Sequence, residues 1–423
     1  MSKRLRLVLL ATIVAVYIIF GAAYASKTPT WETPDEPAHF NYIRYLAEHR
    51  QFPELKVGDY NQDYLEELKA NKFPPGKPID SVRYESWQPP LYYLSSVPLF
   101  WASTDLPQSQ QVVVLRLFSV FLGVVLLLVS YRIARRVLPK DDLLALAVPG
   151  FIAVLPQHLA MTAAVSNDTL SEVVLSLILL VLVERICDPL SAPSVSTGRP
   201  QWLRLPSPFG KGEGTASAAL GGGENKASVA LREADGRVFH GERQIWRSGL
   251  MLGVLLGLAL LTKSTIYVGA VLIPLGLLLS QLGKNGQIPL GKALQSLRFR
   301  PVVEESAIAF VIALALAGWW FVRNAWIYGG LDLLVWRRHD LVVLGQPLAG
   351  PFNLAFAKFF VTTTFQSFWA QFGWMGVLAD ERTYTLLGVL TAIGLVGMGL
   401  FLVRIIRHPS SEGSTSAAQS TCL

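Results

Sequence analysis

The chain has 423 residues, with 37 Lys+Arg against 30 Asp+Glu and a formal charge of +7. Hydrophobic types make up 52% of it and charged types 16%, where a soluble domain carries about 25% charged. The deficit sits in uncharged runs at 7–25, 143–156, 173–183, 250–262 and 383–403. A bilayer-spanning helix needs about 20 apolar residues, so a soluble globule is excluded, and helix-length blocks argue against an outer-membrane barrel. The two cysteines, Cys187 and Cys422, are too few for a disulfide framework or a thiolate zinc cluster. The small net charge is read through its distribution over loops, not as a sign of nucleic-acid binding.

Taken in order, Lys3, Arg4 and Arg6 precede an apolar stretch at 7–25 that is longer than a signal-peptide core of about 7–15 residues. It is read as a retained first helix with its N-terminus inside, because cytoplasmic loops are enriched in Lys and Arg. Residues 26–110 then form a large outer segment. Its first motif is Trp31-Glu32-Thr33-Pro34-Asp35-Glu36-Pro37-Ala38-His39-Phe40. After it, Phe40, Ile43, Leu46 and Ala47 recur at helical spacing opposite Asn41, Arg44, Glu48 and His49, which predicts an amphipathic helix lying on the outer membrane surface. Thr33-Pro34-Asp35-Glu36 reads in two ways. It matches a helix-capping box, and it also places a carboxylate beside the membrane, where it can act as a general base.

The second motif, Glu85-Ser86-Trp87-Gln88-Pro89-Pro90-Leu91-Tyr92-Tyr93-Leu94, introduces a short apolar stretch at 89–101. Parity and Pro98 predict that this stretch does not cross the bilayer. Gln88 and Tyr92 offer hydrogen bonds there, although tyrosines also suit an interfacial belt. A second span at 111–131 ends in Arg132, Arg135, Arg136 and Lys140. Spans at about 143–161 and 169–187 follow, with Asn167 and Asp168 at the outer turn between them. Asp168 reads equally as a helix cap.

Residues 188–245 are rich in Gly, Ser, Ala and Pro and read as a disordered cytoplasmic linker. Beyond it come spans at about 246–262 and 265–282 around Lys263, a basic inner loop, a span at 306–322, a second outer segment at 323–382 and a last span at 384–403. The tail at 406–423 is rich in Ser and Thr and reads as disordered. The expected architecture is all-α and polytopic, about eight spans with both termini inside, organised as 1–187, 188–245, 246–405 and 406–423. Arg116, Lys263 and Arg323 lie at outer helix ends, against the topology rule. Charges near a membrane are functional candidates, and these three are positioned to hold a lipid-linked phosphate unless each merely snorkels. His39, His158 and His339 are too scattered to specify a metal site, so no cofactor is expected and a divalent metal is left open.

Taken together, Asp35-Glu36, Gln88-Pro89-Pro90-Leu91-Tyr92-Tyr93, Leu261-Thr262-Lys263 and Trp319-Trp320-Phe321-Val322-Arg323-Asn324 resemble motifs of the GT-C superfamily of polytopic glycosyltransferases, near the protein O-mannosyltransferases and aminoarabinose transferases. The resemblance implies inverting transfer of a sugar from a polyprenyl-phosphate donor to an envelope glycan, lipid or protein on the outer face of the plasma membrane. It implies Asp35 as base with Glu36 as its neighbour or substitute. It also implies donor or lipid-phosphate contacts by His39, Arg44, Gln88, Tyr92, Arg116, Asn167, Asp168, Lys263 and Arg323. One departure is that Trp87-Gln88 stands where aminoarabinose transferases carry a Glu-Lys pair, so no bound metal is expected there. The other is length, because relatives often continue with further helices and an outer domain.

Overall fold

A computed structural model describes residues 1–187, 245–283, 297–346 and 353–407. Helix α1 (Lys3–Lys27) starts where the Ser2 hydroxyl accepts from the Leu5 amide at 3.2 Å. The stretch after it contributes three short helices, α2 (Glu36–His49), α3 (Gln62–Ala70) and α4 (Leu91–Ala102). Then come α5 (Gln108–Val137), α6 (Asp142–Val154), α7 (Pro156–Thr162) and α8 (Asp168–Cys187). The next described residues form α9 (Ile245–Leu260), a 3-10 turn at Ser264–Val268, α10 (Gly269–Gly283) and α11 (Phe299–Tyr328). After α11 come α12 (Trp336–Val342), α13 (Leu354–Trp369) and a hairpin of β1 (Gln371–Phe372) with β2 (Val377–Leu378). Helix α14 (Glu381–Arg407) closes the described chain.

Five of these segments are long and apolar enough to cross a membrane: Lys3–Lys27, Gln108–Val137, Ser264–Gln281, Phe299–Tyr328 and Glu381–Arg404. Helices α6 and α7 make a sixth if counted as one span, bent by 65°. The bend has a local cause, since Pro156 at the start of α7 has no N–H to continue the preceding helix. Two expected spans fall short of that standard. Helix α9 is too short, and α8 carries Asp168, Glu172, Glu184 and Arg185 around its apolar middle. The expected linker at 188–245 lies outside the described residues except for Ile245, as does the expected tail beyond Arg407.

The helix ends meet in two layers. At one end Arg6 and Arg135 both donate to Asp142, at 3.1 and 2.6 Å, and Arg185 bridges to Glu305 at 2.6 Å. The same layer joins Gln281 to Arg298 through two hydrogen bonds. At the other end Lys263 pairs with Asp168, Arg323 reaches the 52–53 backbone and the Leu91 amide donates to Leu261 at 2.8 Å. Consecutive long helices therefore run in opposite directions between a basic layer and the layer holding α2, α3 and α4.

Packing within the bundle follows residue size. Helix α8 lies between α5 and α10, with Val174, Ile178, Val181 and Leu182 buried against Leu252, Leu256, Ile273 and Leu277. Gly249, Gly253 and Gly257 repeat every fourth residue on α9 and face α11, where a Cβ at Gly253 would lie 2.8 Å from the Ala309 carbonyl oxygen. Small residues at this spacing let two helix backbones meet, the kind of packing that holds helices together in lipid.

The α2 surface differs from the amphipathic expectation. Ten of its fourteen residues are buried, Asn41 among them, because the segment from 52 to 90 folds back over its polar side. Asn41 Nδ2 donates to the carbonyls of Ile79 and Val82 at 2.6 and 2.8 Å. Helix α4 is a twelve-residue element with Pro98 inside it, laid against α2 and α5.

Candidate functional site

The layer holding α2, α3 and α4 gathers a set of charged and polar side chains around Asp35. The capping-box geometry is not formed. Asp35 itself takes the N-cap position of α2 with a left-handed backbone (φ 63°), and its side chain makes no capping hydrogen bond. A non-glycine residue in this conformation carries strain that the surrounding structure must hold. The carboxylate is thereby turned away from the helix end and accepts a 2.6 Å hydrogen bond from the Tyr84 hydroxyl. Burial raises its pKa above the usual carboxylate value, partly offset by Tyr84 and by the Lys263 charge.

Beside Tyr84 lies Glu85, whose Oε2 is buried without a hydrogen-bond partner among the described residues. Burial, reinforced by the Asp35 charge, pushes its pKa up to about 8. Both carboxyls are thus raised by burial, and the Asp35 charge further disfavours ionisation of Glu85. His39 is buried and shares a 2.8 Å hydrogen bond with the Tyr93 hydroxyl. Burial and then Lys263 push its pKa down to about 3, so it is a neutral imidazole at neutral pH.

The α8 side of the cluster is built from the turn before it. Lys263 forms an ion pair with Asp168, and the Ser166 hydroxyl donates to Asp168 at 2.7 Å. Asp168 thus pairs with the cation in place of capping α8. Asn167 is fully buried and donates to the Gln88 side chain at 3.3 Å and to the Thr262 carbonyl at 3.0 Å. Its own Oδ1 has no partner among the described residues. Three segments that are distant in sequence, at 35–39, 84–88 and 166–168, meet Lys263 in this way. Tyr92 is buried beside them, sharing a 3.1 Å hydrogen bond with Ser119.

Other expected site residues have different work. Glu36 and Arg116, 0% and 1% exposed, form a buried two-point ion pair with contacts of 2.7 and 2.6 Å. Arg116 also donates to the carbonyls of Ala25, Thr28 and Pro29. Glu36 accepts from the amides of Trp31 and Val165. With both groups saturated, the pair clips the end of α1 to α5 and to the turn before α8, and Glu36 has no oxygen free to act as a base. Arg323 stacks on Trp320, 4.6 Å from the ring centroid, and donates to the Phe52 and Pro53 carbonyls. Arg44 bonds Asn41 and Asp80 at the far side of α2. The three cations expected to form one clamp are thus engaged separately, and Lys263 is the one of them at Asp35.

Tyr84 and Glu85 are the members that sequence reasoning missed. The contact between Tyr84 and Asp35 spans 49 positions and has no local signature. Glu85 stood inside a singled-out motif and lacked a bland explanation there, a usable signal. Among the described residues no group of three or more His, Cys, Asp or Glu side chains is arranged to share a metal ion.

Comparison of the chain with protein families, with curated proteins and with solved structures gives no match in any of the three.

Proposed function

We infer that the chain is a polytopic membrane glycosyltransferase of the GT-C kind, moving a sugar from a polyprenyl-phosphate donor to an envelope acceptor on the outer face of the plasma membrane. The observation that carries this reading is Asp35. Its carboxylate is turned off the helix end by a strained backbone, held by one tyrosine hydroxyl, and set beside a partly exposed Lys263–Asp168 pair. A structural cap has no need of that arrangement.

In this reading α8 and α9 also cross the bilayer, giving eight spans with both termini inside. Helix α8 carries its charges near its two ends and sits centrally in the bundle, and α9 meets α11 through its glycine face. The layer holding α2, α3 and α4 then faces outward and the basic layer inward, as the distribution of Lys and Arg requires.

The reaction proceeds as a single displacement. The Asp35 carboxylate accepts the proton of an acceptor hydroxyl as its oxygen bonds to the anomeric carbon. The bond from that carbon to the donor phosphate breaks, and the electron pair leaves on the polyprenyl phosphate. Lys263, half-buried beside Asp168, neutralises charge developing on that phosphate, and reduced contact with water strengthens a cation's effect. Glu85, whose ionisation the Asp35 charge disfavours, leaves the negative charge of the pair on Asp35. Gln88 and Asn167 hold the 88–91 turn against Thr262 and so fix the position of Lys263. The transfer assay that tests this reading is given at the close of the Discussion.

The alternative, a lipid-binding protein of the same fold without turnover, uses Lys263 and leaves the strained Asp35 without a task. A transporter would need charges near the bilayer midplane, whereas the cluster here collects at one helix end.

A further inference from the structure

Adjacent to the Asp35 cluster is a separate cavity of about 380 Å³ that the displacement does not use. The residues just before Asp35 form one wall, with Glu32 and Pro34 at its surface, and Gln157 of α7 forms another. The β1–β2 hairpin closes the third side with Gln371 and Phe372. This volume falls in the range of small-molecule sites, about 300–1,000 Å³.

The hairpin is anchored where it stands. Trp374 Nε1 donates to the Trp31 carbonyl at 2.9 Å, and the Gln371 amide donates to Gln157 Oε1 at 2.7 Å. Gln371 Nε2 is used by the hairpin itself, donating to the Met375 carbonyl at 2.9 Å. These bonds leave two acceptors, Glu32 Oε1 and Gln371 Oε1, buried without a partner among the described residues. Buried acceptors are costly to leave unpaired, and both belong to side chains that line this cavity, so each can turn its oxygen to a ligand that brings donors. The remaining surface is largely apolar, and the Tyr24 and Phe372 rings stand 6.2 Å apart at a tilt of 43°. A pyranose ring satisfies both demands, with hydroxyls for the two oxygens and a C–H face for the aromatic wall.

We propose that this cavity binds a sugar unit, using Glu32 Oε1 and Gln371 Oε1 as acceptors for its hydroxyls. The identification of that sugar as the terminal unit of the acceptor rests on the glycosyl-transfer reading. Thr33 and Pro34, which line the cavity, stand directly before Asp35 in the chain.

The test uses the full chain in lipid nanodiscs free of glycoside detergent. Methyl glycosides of glucose, galactose, mannose and arabinose are the probes, and saturation transfer to their ring protons is the readout. At least one glycoside is expected to show saturation with the wild type and equally with Asp35→Asn. Affinity is expected to fall about tenfold in Glu32→Leu and in Gln371→Leu, the scale of one lost hydrogen bond. Ala160→Phe fills the cavity without touching either acceptor; it is expected to abolish binding and serves if Glu32→Leu does not fold. Silence from all four glycosides, or unchanged binding in Ala160→Phe, overturns the proposal. So does full transfer activity in Ala160→Phe, which would leave the enzyme reading intact. Glycoside binding by a wild type that transfers from no donor would support the cavity and overturn the enzyme reading.

Discussion

Replacing Arg116 by Met separates a structural clip from a phosphate-binding role. The substitution removes two charge-assisted hydrogen bonds to Glu36 and three to the carbonyls of Ala25, Thr28 and Pro29. It strands the Glu36 carboxylate at 0% exposure with the Trp31 and Val165 amides as its remaining donors. Breaking a buried pair on one side costs about 3–5 kcal/mol, a large share of a typical folding stability of about 5–15 kcal/mol. Changing both partners to Met removes the stranded charge, so the double variant is expected to be more stable than the sum of the single costs implies. That coupling is expected at about 2–3 kcal/mol, while the three orphaned carbonyls keep the double variant below the wild type. Unfolding by SDS titration from mixed micelles, followed by the fluorescence of the 11 tryptophans, measures both quantities. An Arg116→Met protein within about 1 kcal/mol of the wild type that has lost affinity for lipid phosphate would refute the clip.

Tyr84→Phe removes the one side-chain donor to Asp35 among the described residues. The carboxylate pKa should rise further, and the pH–rate profile for transfer should shift its acid limb to higher pH, since the base works only when ionised. Folding stability has its own pH signature. Glu85, raised to about 8, binds a proton in the folded state that the unfolded chain has released, so stability falls as pH rises from about 4.5 to 8. Glu85→Gln should flatten that part of a stability–pH curve measured by the same unfolding titration. His39, lowered to about 3, acts oppositely, and its contribution grows as pH rises from about 3 to 6.5; His39→Gln should remove it. Gly253→Val drives a side chain into the Ala309 carbonyl, and the same titration should show a loss of about 1–3 kcal/mol from overpacking.

How far the sequence could be read depends on whether each signal was local. Apolar runs of span length are local, and α1, α5, α10, α11 and α14 lie where they predict. The meeting of Gln88, Asn167 and Lys263 was foreshadowed by sidedness, since the sequence reading put all three on the same side, Gln88 in the first loop and the other two at helix turns. For Asp35 the sequence left a cap and a base side by side, because the Thr-Pro-Asp-Glu pattern permits both, and the left-handed backbone that goes with the missing capping bond is not visible in local sequence. Glu36 and Arg116 each had a separate local explanation as helix acid and interfacial cation. Their pairing across 80 positions leaves no trace in spacing. Asn41 seemed to belong to a solvated face because nothing in its neighbourhood announces the segment at 79–82 that covers it. The α9 glycine repeat, by contrast, was plainly present in the sequence, and its packing meaning went unread.

The central claim is that Asp35 is the base of a glycosyl transfer. Membranes carrying wild-type or Asp35→Asn protein, matched for folded protein, should be incubated with radiolabelled polyprenyl-phosphate sugars and extracted envelope material. The account predicts labelled product with the wild type and a loss of at least about a hundredfold with Asp35→Asn, the lower range of general-base contributions. Equal labelling by both proteins would contradict the base assignment, and no labelling by the wild type across the donor panel would contradict the transferase itself.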